Sequence, residues 1–168
     1  MAVSTARELK TLCLREPSAP LTLAVAESIT GGRVQAAITA VSGASGFFLG
    51  GLTAYTLDQK VKQLGVKRAA AAKVNCVSAE VAMQMARGTA RLFNADIAVA
   101  TTGYAEPDPS RGVEAPFAFW ALAHRLSTQR WHVATGRVVC PGMKRTDAQS
   151  AVTDAVLAEL VTYLRTAL

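Results

Sequence analysis

Three residues in one Gly-rich stretch could do chemistry together: Ser45, Tyr55 and Lys60, within SGASGFFLGGLTAYTLDQK from Ser42 to Lys60. A serine, a phenol and an amine that converge in a fold form a nucleophile with its own proton shuttle, which is amide-hydrolysis chemistry without histidine. Serine attacks only after a base takes its proton. A lysine is that base only when burial or a second cation lowers its pKa. The same residue types also serve as turn serines and solvated lysines, so convergence is what the fold must supply.

A second polar cluster, Glu27-Ser28-Ile29-Thr30-Gly31-Gly32, follows the apolar run Leu21 to Ala26 and precedes a helical pattern. A strand-to-helix turn with two glycines exposes backbone N–H groups at a helix N-terminus, where a phosphate is favoured. Ser28 and Thr30 are either ligand contacts or helix caps. Glu27 is either a site carboxylate or the partner of a nearby cation.

The elements that must position these residues alternate along the chain. A helix is expected over Thr5 to Arg15, ended by the turn at Pro17 to Pro20. Val34, Ala37, Ile38 and Val41 recur as one helical face. Phe48 to Thr56 reads as a strand, followed by a short helix through Val61 and Leu64 that Gly65 can end. Ser78 is a plausible N-cap for a helix whose face carries Val81, Met85, Thr89 and Leu92, and Ala95 to Thr101 is a third strand. Phe117 to His124 and Trp131 to Val139 read as a hairpin-like pair. Thr146 and Gln149 have capping-box spacing ahead of a last helix carrying Val152, Val156, Leu160 and Leu164. The sum predicts a three-layer α/β/α sandwich with a mixed central sheet, as one domain over residues 1–168.

The formal net charge is +6, which raises anionic partners. The basic residues are dispersed, with no basic tract, zinc finger or interleaved aromatic motif, so nucleic acid is not the expected partner. Cys13, Cys76 and Cys140 form no CxxC and no Cys/His ligand cluster, so no metal site is expected and reduced thiols in the cytoplasm are. No apolar run approaches the roughly 20 residues of a membrane span, and the N-terminus has no signal-peptide core.

Four stretches in order carry a family resemblance: LAVAESITGG (Leu23 to Gly32), SGASGFFLGGLTAYTLDQKVKQLGV (Ser42 to Val66), VSAEVAMQMARG (Val77 to Gly88) and ADIAVATTGYAEPD (Ala95 to Asp108). The chain resembles the CinA C-terminal domain family, which includes stand-alone nicotinamide mononucleotide amidohydrolases, from about Leu9 to Leu168. The resemblance implies hydrolysis of the carboxamide of nicotinamide mononucleotide to nicotinate mononucleotide and ammonia, with no metal or organic cofactor, in a homo-oligomer. It implies Ser45 as nucleophile, Lys60 as base and Tyr55 as proton relay. Backbone N–H groups around Gly43 to Gly46 would then hold the oxyanion. It further implies substrate contact at Thr102 and Gly103, where a central strand ends, and makes Lys144 and Arg145 phosphate candidates, with solvated surface as the other reading. The chain departs from the family pattern in three places: Ile29 stands for a cysteine, Asn75-Cys76 for a histidine-glycine pair, and the loop Gly103 to Trp120 carries Glu106 for a glycine. A different amide substrate, or a paralogue that binds without efficient turnover, is the alternative these departures raise. A DNA-associated competence or damage-response protein is a third.

Overall fold

The computed structural model describes residues 1–167; Leu168, the last residue of the expected domain, lies outside the described residues. The strands are β1 (Leu23–Glu27), β2 (Phe48–Thr53), β3 (Ile97–Tyr104), β4 (Phe117–Arg125) and β5 (Trp131–Val139). The helices are α1 (Ala2–Cys13), α2 (Arg33–Thr39), α3 (Leu57–Leu64), α4 (Arg68–Lys73), α5 (Ala79–Phe93) and α6 (Arg145–Ala167). One five-stranded sheet has the order β2-β1-β3-β4-β5. β1 pairs parallel with β2 and β3, whereas β3–β4 and β4–β5 are antiparallel. The expected mixed sheet between helical layers is therefore the observed architecture.

Sequence alternation assigns the two faces. Leu23 and Val25, Ile97 and Val99, and Trp120 and Leu122 pack with α1, α2 and α6. The intervening Ala26, Ala100, Ala121 and Ala123 face α5 and α3. Large side chains on one face and alanines on the other bring α5 close to the sheet. The spacing of Val152, Val156, Leu160 and Leu164 is explained by the same core, since all four are buried. Each such residue contributes about 1.5–3 kcal/mol by leaving water.

Thr56 caps α3, accepting from Gln59 N, and Gly65 ends it in the left-handed region at φ 67°. Ser78 caps α5 as expected, accepting from Val81 N, and Asn94 ends it at φ 51°. One helix was not expected and one expected capping box is absent. The run Arg68–Lys73, which has no apolar periodicity beyond its alanines, forms α4. Thr146 is no cap, because α6 already starts at Arg145 and Ala148 N bonds Lys144 O. Gln149 turns inward instead, its Nε2 donating to Ile29 O at 2.8 Å.

Candidate active site

All three parallel strands end on one side of the sheet, and their carboxyl ends open into a cleft of about 590 Å³. β1 leads directly to Ser28, β2 to Tyr55 and then Lys60 on α3, and β3 carries Thr102 and Gly103; each of these lines the cleft. Clefts at strand carboxyl ends are where open α/β sheets bind ligands.

At the floor Lys60 is 1% exposed. Its Nζ has three partners: Ser28 Oγ at 2.9 Å, Ala54 O at 2.7 Å and Tyr55 O at 3.0 Å. Burial pushes the amine down from 10.5 to about 8, partly offset by the nearby Cys76 thiol. A neutral amine has two N–H donors and one lone pair. The two carbonyls can only accept, so they take both donors and leave the lone pair for the Ser28 hydroxyl proton.

The turn that holds Ser28 is fixed by Glu27. This carboxylate, fully buried, accepts from Gly32 N at 2.9 Å, Val34 N at 3.1 Å and Gln35 N at 3.0 Å. Glu27 is thus neither a site carboxylate nor a cation's partner; it satisfies and charge-stabilises the start of α2. The expected phosphate cradle is filled by the chain's own carboxylate. Gly31 and Gly32 are required by backbone geometry, with φ of 58° and 101°. Neither Ser28 nor Thr30 caps α2: the first reaches Lys60, and the second pairs its hydroxyl with that of Thr101 at 2.8 Å.

Ser45 does not join Tyr55 and Lys60. It is exposed in a short 3-10 turn, Ala44–Gly46, ahead of β2. Phe48 pairs with Leu23, at the amino end of β1, whereas Thr53 pairs with Glu27. The strand between separates Ser45 from the cleft by roughly 16 Å at about 3.3 Å per residue. Gly43 and Gly46 lie there too, against α1, where Lys10 Nζ donates to Ser42 O at 2.8 Å. Neither glycine lines the cleft, and Gly46 N donates to Gly43 O at 3.1 Å.

Tyr55 enters the site through its carbonyl; its hydroxyl instead accepts from Arg145 Nη2 at 2.9 Å. Arg145 Nη1 donates to Glu106 Oε1 at 3.0 Å, so the loops after β2 and β3 meet the start of α6 at the mouth. Lys144 is exposed and does not line the cleft. Thr102 is buried in the wall, its Oγ1 donating to Cys76 O at 2.7 Å. Gly103 lets β3 approach β4, since a Cβ there would stand 2.2 Å from Phe117 O. Asn75 and Cys76, which sequence reasoning did not place in the site, line it with left-handed φ of 48° and 62°. Among the described residues no group of three His, Cys, Asp or Glu side chains could hold a metal ion.

An α/β/α sandwich with a buried lysine against a serine at its strand ends defines the class of protein. The family model of the CinA C-terminal domain matches residues 7–164, and the chain belongs to that family. A CinA-like protein of Geobacter sulfurreducens is 48% identical over 88 residues, 52% of this chain and 21% of that protein. One from Geobacter metallireducens is 39% identical over 115 residues, 67% of this chain and 28% of that protein. The chain thus spans about a quarter of the length of these curated relatives. Among solved structures, the competence damage-inducible protein A of Klebsiella pneumoniae superposes with TM-score 0.86 at 26% identity, covering 98% of this chain and 97% of that one. The competence/damage inducible protein CihA of Agrobacterium tumefaciens gives 0.83 at 28%, covering 98% and 95%. Among the described residues no helix is long and apolar enough to cross a membrane.

Proposed function

We propose that the chain hydrolyses a carboxamide of the nicotinamide nucleotide kind to the acid and ammonia, with Ser28 as nucleophile and Lys60 as base. The observation that carries this reading is the set of partners around Lys60 Nζ, two carbonyls and the Ser28 hydroxyl at 2.9 Å, so that once the amine loses its proton the carbonyls hold its two N–H groups and its lone pair is the one free to take the Ser28 proton. Ser28 Oγ attacks the amide carbon while its proton passes to Lys60 Nζ. The N–H groups of the turn from Ser28 to Gly31 hold the oxyanion, the role that the family resemblance would give to the turn around Gly43 to Gly46. The tetrahedral intermediate collapses as Lys60 returns the proton to the departing ammonia. Water then attacks the acyl ester, giving its proton to Lys60, and the carboxylic acid leaves as Ser28 regains a proton. Tyr55 supports the base through its backbone carbonyl.

The test is ammonia release from nicotinamide mononucleotide and nicotinamide riboside by the unsubstituted chain, Ser28→Ala and Ser45→Ala. Ser28→Ala is expected to lose at least about a thousandfold in turnover, as removal of a catalytic nucleophile does, whereas Ser45→Ala keeps it within about twofold. Full activity in a folded Ser28→Ala protein, or loss confined to Ser45→Ala, refutes the assignment.

A further inference from the structure

The turn after β1 carries backbone donors that the fold itself does not use. Among the described residues no acceptor meets the N–H of Ile29, Thr30 or Gly31, although Ile29 is 4% exposed and Thr30 is fully buried. Buried N–H groups without a partner are rare, and at a cleft they mark a place where a ligand supplies the acceptor. The carbonyls of the same turn are all the more firmly held. Ile29 O accepts from Gln149 Nε2 at 2.8 Å, and Thr30 O accepts from Arg33 N at 3.1 Å and Arg33 Nη1 at 3.3 Å. A planar trans peptide sets its N–H opposite to its carbonyl, so a bond that holds one carbonyl also aims the N–H of the next residue. Gln149 thereby aims Thr30 N–H, and Arg33 aims Gly31 N–H.

The two carbonyls are held in different ways. Arg33 is local, three residues beyond Thr30, at the first position of α2. Gln149 comes from one turn into α6, 120 residues away, and is 8% exposed between the apolar, fully buried Ala148 and Val152. A buried amide must be desolvated, and an apolar side chain of that size would pack there without this cost. The position is explained by the one bond that Gln149 donates. We infer that Gln149 is a positioning residue for the reaction: it holds the Ile29–Thr30 peptide with its carbonyl toward α6, so that Thr30 N–H faces the oxyanion that forms when Ser28 attacks. The inference rests on the amidase reading for Ser28 as nucleophile. The Thr30 side chain is pinned by Thr101 at 2.8 Å, which leaves the peptide before it as the part that Gln149 must fix. Once freed, that peptide can turn over and present a carbonyl where the oxyanion needs a donor.

The test is steady-state ammonia release from nicotinamide mononucleotide by the unsubstituted chain, Gln149→Met and Gln149→Glu. Gln149→Met keeps the volume and removes the donor. It is expected to lower kcat about a hundredfold, the effect of losing one oxyanion donor, with KM within about threefold. In Gln149→Glu a protonated carboxyl donates to Ile29 O and a carboxylate cannot. Its kcat relative to the unsubstituted chain should therefore fall as pH rises from 5 to 9, at pH values where circular dichroism shows both proteins folded. Pyridine-3-boronic acid reads the same site without turnover. Ser28 Oγ adds to boron as its proton passes to Lys60 Nζ, and a boron-bound oxygen takes the oxyanion's place. Gln149→Met should weaken this adduct at least about tenfold, as it would the transition state it mimics. A folded Gln149→Met protein that keeps kcat within about twofold, a loss carried by KM alone, or a Gln149→Glu ratio that does not change with pH overturns the inference. An adduct that Gln149→Met weakens, with no ammonia released from the mononucleotide, removes the amidase reading and leaves this one standing. Neither ammonia nor adduct from the unsubstituted chain overturns both.

Discussion

Replacing Lys60 with methionine tests the base by two independent routes. Its amine falls from 10.5 to about 8 because it is buried. With a pKa of about 8, about a tenth of the amines are neutral at pH 7, against about one in three thousand at the reference value. That is roughly a 300-fold gain in competent base, and it makes kcat/KM rise with pH to half its plateau near pH 8. The same shift has a sign for stability. The folded state binds the proton less tightly than the unfolded state, so below pH 8 burial of the charged amine destabilises the fold. The penalty is about 3 kcal/mol, at about 1.4 kcal/mol per pKa unit. Between pH 8 and 10.5 the unfolded chain holds more protons, and stability rises with pH until the penalty is gone. Lys60→Met lacks this group. Urea unfolding followed by circular dichroism at pH 7.5, 9 and 10.5 should show the unsubstituted protein gaining up to about 3 kcal/mol on the variant over that window. Other lysines and tyrosines titrate in both proteins and cancel in the difference. Parallel stability profiles, within about 0.5 kcal/mol, together with a kcat/KM that is flat through pH 8, would refute a depressed Lys60.

Two further substitutions probe the frame around the pair. Glu27→Gln removes a charge from a group that accepts three backbone N–H bonds at the start of α2, and should cost about 2–4 kcal/mol in urea unfolding. A change below about 0.5 kcal/mol would show that the α2 start does not depend on this carboxylate. Gly103→Ala places a Cβ 2.2 Å from Phe117 O, backbone against backbone. Thermal unfolding should fall by several degrees, corresponding to at least about 2 kcal/mol, and an unchanged midpoint would mean that β3 and β4 separate freely at this register.

Most of the fold was legible because its signals are local. β1 is buried at all five positions, as a central parallel strand should be, and such strands read as short apolar runs between turn residues. Caps at Ser78 and Gly65 declare themselves by residue type. α4 carries no such mark, since RAAAAK has neither cap nor stripe. Thr146 with Gln149 shows the opposite failure. The spacing of a capping box is present, but Gln149 is drawn to Ile29 O across the core, a contact 120 residues distant in sequence. Glu27 fails in the same direction: its three partners lie five to eight residues ahead, but which of several carboxylate roles it takes depends on how β1 hands over to α2.

The choice of serine shows which information spacing lacks. Ser45 is closer to Lys60 in sequence than Ser28 is, and a count along the chain favours it. Sheet topology inverts that order. In parallel strands, residues that follow the strands gather at one end and residues that precede them gather at the other. Ser28 follows β1, and Tyr55 and Lys60 follow β2, which pairs with β1 in parallel register; Ser45 precedes β2. The strand assignments made from sequence alone already contained this distinction, because each serine's position relative to its strand was known. Applying the carboxyl-end rule to them selects Ser28 and rejects Ser45 before any distance is measured. What no pattern supplies is the environment of Lys60: its depressed pKa comes from burial on α3, and its aim comes from the carbonyls of Ala54 and Tyr55. Those are backbone groups, identical in every residue, and only the fold decides which of them point at an amine.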